Sequence, residues 1–139
     1  MFYSDIFLVL RSEDVSKASS YSQWLLQNLF SLRAQDIFCD TVLVVGKRQL
    51  KAHSVVLSAG SPFFHSALKF YSKPGLRYLT LPGFNFDVLE IAVRFIYTGK
   101  FEVGMKYAKP SHRTELLNSL GQLGLNLEHL EECEIVHHR

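Results

Sequence analysis

The chain has 139 residues, of which 47% are apolar and 13% aromatic. This length suits one domain, and the apolar content excludes a disordered chain. The 15 basic and 13 acidic residues nearly balance, so the composition gives no reason to expect direct nucleic-acid binding.

No apolar run is long enough to cross a membrane, and no basic segment precedes the first apolar run. We therefore expect a soluble intracellular protein without a signal peptide. Its two cysteines, Cys39 and Cys133, are then two free thiols rather than one long-range disulfide.

The N-terminal part carries two apolar segments. Ile6 to Leu10 predicts a strand that is buried on both faces or paired with another chain. The polar, serine-rich stretch from 11 to 20 predicts a linker. Gln23 to Ala34 predicts a helix capped by Ser22, and it is more apolar than a helix with a single partner requires. Some of its apolar surface is therefore expected to face a second subunit.

The middle of the chain predicts a hairpin followed by two short helices. Thr41 to Val45 reads as a buried strand, and Arg48 to Ala52 as its return across a Gly46-Lys47 turn. Helices are expected over 53–59 and 61–69, with Ser61 as the cap of the second. A third strand is expected at Tyr78 to Leu81.

The C-terminal half predicts helices. Asn85 to Thr98 has an apolar face, a capping Asn85 and a terminating Gly99. An irregular basic stretch over 104–111 precedes predicted helices at His112 to Leu123 and Asn126 to Glu134. Early strands and late helices indicate an α+β domain.

Several motifs occur in one order. They are Phe38-Cys39-Asp40-Thr41-Val42, Leu50-Lys51-Ala52-His53, Val56-Leu57-Ser58-Ala59-Gly60-Ser61-Pro62-Phe63-Phe64 and Phe95-Ile96-Tyr97-Thr98-Gly99. Together they resemble the BTB/POZ domain. The resemblance implies an α+β fold in which short helices flank a small three-stranded sheet, with an N-terminal strand and helix at a dimer interface. It divides the chain into an N-terminal strand and linker at 1–20, the domain at 21–134 and a tail at 135–139.

The same resemblance implies the residues of a dimer interface, from an exchanged strand and from a helix across the two-fold axis. They are Ile6, Leu8, Leu10, Trp24, Leu25, Asn28, Leu29 and Leu32.

The resemblance also implies a charged partner pocket at Asp40, His53 and Ser54. In similar transcription factors the aspartate pairs with a cation after Ala-His, but here Ser54 replaces that cation. Lys51 or Arg48 could substitute; the alternative is that Asp40 makes a strand-end or helix-linking hydrogen bond. Two further positions depart from the family pattern. Leu50 stands where the family usually has Phe, and Gly60 stands where it usually has Cys or Ala.

Sequence patterns give no support for catalysis. His53 reads as a structural histidine, and Ser58 and Ser61 fit helical and capping positions without an activated nucleophile. His129, Cys133 and His137 recur every four residues and His138 adds a further ligand type, so a zinc site is chemically possible. A second cysteine pair and a closing loop are missing, which favours a solvated helix end. We expect no enzyme activity, no bound metal and no cofactor.

The resemblance is greatest to BTB domains that head zinc-finger transcription factors. It implies a homodimer, with heterodimers formed with other BTB proteins, that docks a corepressor in the nucleus. The alternative is a cytoplasmic substrate adaptor of a cullin-type ubiquitin ligase. Such adaptors often carry an apolar-x-Glu motif after the second short helix, and Lys69 to Leu79 contains no glutamate.

Overall fold

A mixed three-stranded sheet lies at the centre of the computed structural model, which describes residues 12–71 and 75–125. The element order is α1 (Ser12–Ala34), β1 (Thr41–Val45), β2 (Arg48–Ala52), α2 (Ser54–Gly60), α3 (Pro62–Leu68), β3 (Arg77–Thr80), α4 (Phe86–Thr98) and α5 (Pro110–Gln122), with a 3-10 turn at Met105–Ala108. The expected α+β fold is confirmed.

The strand order is β2-β1-β3, so β1 is the central strand. β1 and β2 are antiparallel, with Leu43 opposite Leu50, and Gly46 takes a positive φ of 58° in the turn between them. β1 and β3 are parallel, with Leu43 opposite Leu79, because α2 and α3 carry the chain back to the same end of the sheet. β3 begins one residue earlier than the sequence predicts.

The core is built around α4, which contacts α1, α2 and α5. Of the apolar face that the sequence predicts, Val88, Leu89 and Ala92 are buried, and Phe95 and Ile96 are partly buried against the core. The Asn85 side chain accepts a hydrogen bond from the Asp87 amide at the start of the helix.

Two helices, α1 and α5, begin earlier in the chain than the sequence predicts. α1 begins at Ser12, so the linker predicted over 11–20 is wrong from residue 12 onward and Ser22 lies inside the helix. That stretch has neither glycine nor proline, and an established helix extends at one hydrogen bond per added residue. α5 begins at Pro110 rather than His112, because proline suits the first helical position.

The strand predicted at Ile6 to Leu10 and the helix predicted at Asn126 to Glu134 lie outside the described residues. The division into segments 1–20, 21–134 and 135–139 stays a prediction, although the part of its first segment from Ser12 onward is helical and not a linker. Within the described ranges, no helix is both long and apolar enough to cross a membrane.

Candidate protein interaction site

One face of α1 presents large apolar side chains to solvent. Tyr21 is 59% exposed and Trp24 56%, and Leu25 and Asn28 are exposed beside them. The spacing of three, four and seven residues places them on one helical stripe. The rings of Tyr21 and Trp24 lie 5.5 Å apart, so the aromatic surface is continuous.

The opposite face of α1 packs on the body of the domain, mainly against α4. Leu29 and Phe30 are half-buried against the core, and the Phe30 ring lies 6.0 Å from that of Tyr97. The Arg33 guanidinium lies over the same Tyr97 ring at 5.9 Å, and burial lowers the pKa of Arg33. α1 thus has one face used within the subunit and one left open.

The turn after α1 exposes further apolar groups that sequence reasoning did not assign to an interface. Phe38 is largely exposed and has a positive φ of 62°, which is uncommon for an aromatic residue. Ile37 and, at the start of α2, Val55 are also exposed. The family motif marks Phe38 but does not indicate that its side chain points outward.

Asp40 joins three elements at the start of β1. One carboxylate oxygen accepts the Ser54 backbone N–H at 2.7 Å and the Thr41 hydroxyl at 3.2 Å. The other accepts the Ser54 hydroxyl at 2.6 Å and an Arg77 guanidinium N–H at 2.9 Å. The carboxylate therefore caps α2 from outside that helix and ties it to β3.

The cation beside Asp40 is Arg77 and neither Lys51 nor Arg48, the two substitutes that the sequence left open, and the Ser54 bonds match the alternative of a helix-linking hydrogen bond. Lys51 pairs with Asp36 at 2.8 Å, and Arg48 lies over the Phe86 ring at 3.8 Å. Parallel pairing sets Arg77 next to Thr41 in register, and the Arg77 amide donates to the Asp40 carbonyl at 2.8 Å.

This environment lowers the pKa of Asp40. Partial burial by itself would raise that pKa, but the two Ser54 hydrogen bonds, the Thr41 hydroxyl and the Arg77 charge together outweigh burial. Asp40 is therefore an ionised hydrogen-bond acceptor whose lone pairs are directed into its own subunit.

His53 is a buried structural residue. Its Nε2 lies 2.8 Å from the Ile37 carbonyl, which can only accept, so Nε2 carries a proton. Its Nδ1 lies 2.6 Å from the Tyr97 hydroxyl, which also accepts the His53 backbone N–H at 2.9 Å. Burial raises the pKa of Tyr97 to about 12, so this hydroxyl stays protonated at neutral pH.

Cys39 lies beside this network, with Sγ 3.8 Å from His53 Nε2. It carries a free thiol, and burial is the main reason that the pKa of Cys39 is raised. A raised thiol pKa lowers the thiolate fraction at neutral pH, which is unfavourable for nucleophilic chemistry.

The family model for the BTB/POZ domain matches residues 29–122, which include β1 to α5 and the Asp40 cluster. The chain belongs to the BTB/POZ domain family. Members of this family are protein-interaction domains, which agrees with an open helical face and a structural, rather than reactive, polar cluster.

Three similar proteins illustrate the relationship. Human zinc finger and BTB domain-containing protein 9 is 38% identical over 93 residues, which are 66% of this chain and 19% of that protein. Mouse Kelch-like protein 17 is 34% identical over 74 residues, which are 52% of this chain and 12% of that protein. The solved BTB domain of zebrafish PATZ1 matches with a TM-score of 0.67 and 28% identity over 83% of this chain and 89% of that one. The chain spans about a fifth or less of the length of these curated relatives.

The BTB/POZ fold brings some predicted site residues together and separates others. Asp40, His53 and Ser54 are neighbours, but buried His53 faces Tyr97 and is closed to a partner, while Asp40 and Ser54 are partly exposed. Among the predicted interface residues, Trp24, Leu25 and Asn28 are exposed, whereas Leu29 and Leu32 are half-buried.

The remaining predicted residues cannot be placed. Ile6, Leu8 and Leu10 lie outside the described ranges, as do the candidate metal ligands His129, Cys133, His137 and His138. The described part of the chain contains no group of three or more histidine, cysteine or acidic side chains that could hold a metal.

Proposed function

We propose that this BTB/POZ domain is a non-catalytic dimerisation and docking module of a transcription repressor in the nucleus. The observation that carries the proposal is the exposed stripe of Tyr21, Trp24 and Leu25 on α1. Burying apolar surface is favourable by roughly 25 cal/mol per Å². Two aromatic rings and a leucine at helical spacing therefore make a suitable centre for a symmetric interface.

Several additional features support this assignment. Exposed Phe38 and Val55 supply further apolar surface outside the helical stripe. Three similar proteins named for zinc fingers match 93, 88 and 91 residues of this chain at 38%, 34% and 34% identity, whereas Kelch-like protein 17 matches 74 residues at 34%. In this proposal, the residues predicted at 6–10 add an exchanged strand, and related BTB domains can replace one subunit to form heterodimers.

The corepressor is proposed to dock beside the dimer interface, close to Asp40 and Ser54. Because the Asp40 oxygens are already occupied within the subunit, Asp40 contributes by holding the surface together. The domain itself makes no contact with nucleic acid in this scheme, and it requires no cofactor.

Sedimentation equilibrium tests the dimer. We expect twice the 15.9 kDa chain mass for the intact protein and one chain mass for Trp24→Glu. The matched control is Leu117→Glu, which puts the same charge on an exposed apolar position of α5 and should leave the dimer intact. Deleting residues 1–10 should weaken the dimer without unfolding the domain. A concentration-independent monomer mass for the intact chain would refute the proposal.

The second candidate is a substrate adaptor of a cullin-type ubiquitin ligase, which the similarity to Kelch-like protein 17 favours. Exposed Phe70 and Tyr71 after α3 could provide an apolar anchor. The segment from 69 to 79 lacks the glutamate of the usual motif, which would leave a polar group of the cullin unpaired and weaken binding about tenfold to a hundredfold. Calorimetric titration with a cullin N-terminal domain should therefore show weak or no binding. Sub-micromolar affinity abolished by Phe70→Ala would make the adaptor the leading function.

A further inference from the structure

A second apolar surface lies on the far side of the sheet from β2, around β3. Phe70 is 79% exposed and Tyr78 53%, and Tyr71 and Leu76 are exposed beside them. The Tyr71 hydroxyl donates to the Tyr78 carbonyl at 3.3 Å, so Tyr71, three residues beyond the end of α3, lies beside the strand. We call these four residues the β3 patch.

The backbone of β3 is open next to this patch. The sheet order leaves β3 paired on one side only within the described residues. The amides of Arg77 and Leu81 donate towards β1, to Asp40 at 2.8 Å and Val44 at 2.9 Å. Because backbone groups alternate direction along a strand, Tyr78 and Thr80 direct theirs to the open edge. Such an edge is a template for pairing with another strand.

The charge left unpaired at this edge is positive. Residues 69–81, which contain the patch, include Lys69, Lys73 and Arg77 and no acidic residue, and among the described residues Asp40 pairs with Arg77 alone, at 2.9 Å. At the β3 patch, the Lys69 ammonium lies 4.8 Å from the centre of the Phe70 ring and forms no ion pair with the described residues. A second copy of this chain would bring the same positive charge to the edge, which disfavours self-pairing.

We propose that the open edge of β3 binds an extended segment of a different protein, in which acidic residues alternate with apolar ones. The segment adds as a strand, so that the outward amides of Tyr78 and Thr80 and the Thr80 carbonyl pair with it, while the Tyr78 carbonyl keeps its hydrogen bond from the Tyr71 hydroxyl. Its apolar side chains pack on the β3 patch, and its carboxylates face Lys69. This surface is separate from the α1 stripe, so one dimer presents two such edges.

Binding can be measured by fluorescence anisotropy with labelled ten-residue peptides in which glutamate alternates with valine and phenylalanine. Matched peptides carry lysine in place of glutamate, and a third set carries N-methyl groups on alternate residues, which removes the pairing donors. We expect saturable binding of the glutamate set, at least about fivefold tighter than that of the lysine set. Backbone N-methylation should abolish it.

Two variants at Thr80 test whether the peptide binds at the open edge of β3. Thr80→Pro removes an outward amide that does not pair with β1, so the sheet tolerates it while the peptide loses a hydrogen bond. Thr80→Ala keeps that amide and is the matched control. We expect loss of binding in Thr80→Pro and retention in Thr80→Ala and in Trp24→Glu. If Thr80→Pro fails to fold, the comparison of the three peptide sets on the native chain still tests the proposal.

Equal binding of the glutamate and lysine sets, undiminished binding after N-methylation, or no saturable binding would each overturn the proposal. A change of oligomeric state in folded Thr80→Pro without peptide binding would identify a second copy as the occupant and would likewise overturn it. None of these outcomes bears on the α1 dimer, because the mass of Trp24→Glu tests that interface separately.

Discussion

Asp40 receives hydrogen bonds from β1, α2 and β3, through Thr41, Ser54 and Arg77. The sequence marks this carboxylate as unusual because it precedes a buried strand, but it does not identify the partner. Both sequence-based candidates for the cation lie on β2, whereas Asp40 pairs with the strand on the other side of β1. Parallel pairing across a long connection determines this contact, and local spacing cannot reveal it.

At the residue scale, Asp40→Asn should lower the free energy of unfolding by about 1–3 kcal/mol. Both carboxylate oxygens accept from donors, and an amide would put its own N–H groups against some of them. Urea denaturation gives the measurement.

The matched control for this substitution is Asp36→Asn. Asp36 has a positive φ of 57°, which asparagine tolerates, and its ion pair with Lys51 is exposed, so the change should cost less than about 1 kcal/mol. If the two variants lose equal stability, the carboxylate cluster contributes no more than a surface ion pair.

The lowered pKa of Asp40 also predicts a pH dependence. The folded-state pKa of the Asp40 carboxyl group lies below its unfolded value of 3.8. Its contribution to the free energy of unfolding is therefore complete above pH 3.8 and is lost as the pH falls through the folded-state pKa. Unfolding measurements from about pH 5 to about pH 2 should therefore show a steeper fall in stability for the native chain than for Asp40→Asn. Parallel curves would contradict this account of Asp40.

At the element scale, the contact between α2 and α4 depends on Gly60. A Cβ atom at this position would lie 2.6 Å from Cγ2 of Ile96, which is too close without a shift of α4 or of that side chain. Family members with alanine or cysteine here must therefore differ in the facing residue or in the helix separation. The glycine is accounted for by this packing contact and not by backbone strain.

We expect Gly60→Ala to lower the free energy of unfolding by about 1–3 kcal/mol through overpacking. In an Ile96→Ala background, the same substitution should be close to neutral or stabilising, because the obstructing atoms are gone and alanine is a better helix former than glycine. Thermal or urea unfolding of the four proteins measures this coupling. An equal penalty in both backgrounds would exclude the steric explanation.

The end of α4 is joined to the junction of β2 and α2 by one hydroxyl group. Tyr97→Phe removes that hydroxyl and leaves the buried His53 amide and Nδ1 without their partner. We expect a loss of about 1–3 kcal/mol in urea unfolding. Tyr71→Phe removes an exposed hydroxyl and should stay within about 0.5 kcal/mol. A similar loss in both variants would show that burial of the Tyr97 hydroxyl adds no stability.

For the whole molecule, the proposed dimer links stability to concentration. Association stabilises the folded state by mass action, so the midpoint of thermal unfolding should rise with protein concentration for the native chain. Trp24→Glu should have a lower midpoint that does not depend on concentration. Differential scanning calorimetry over a wide dilution series measures both. A midpoint independent of concentration in the native chain would argue against a dimer linked to folding.

The sequence by itself determined the hairpin, the cap and terminating glycine of α4, the short helices broken before Pro62, and the family. Each of these follows from local periodicity, capping or turn chemistry, and the motifs combine them in one order. Only the tertiary structure decided that Arg77 pairs with Asp40, that α1 divides into a packed and an exposed face, and that Gly60 touches Ile96. Those contacts join residues far apart in the chain, and the packing of whole elements fixes them rather than the preferences of any one segment.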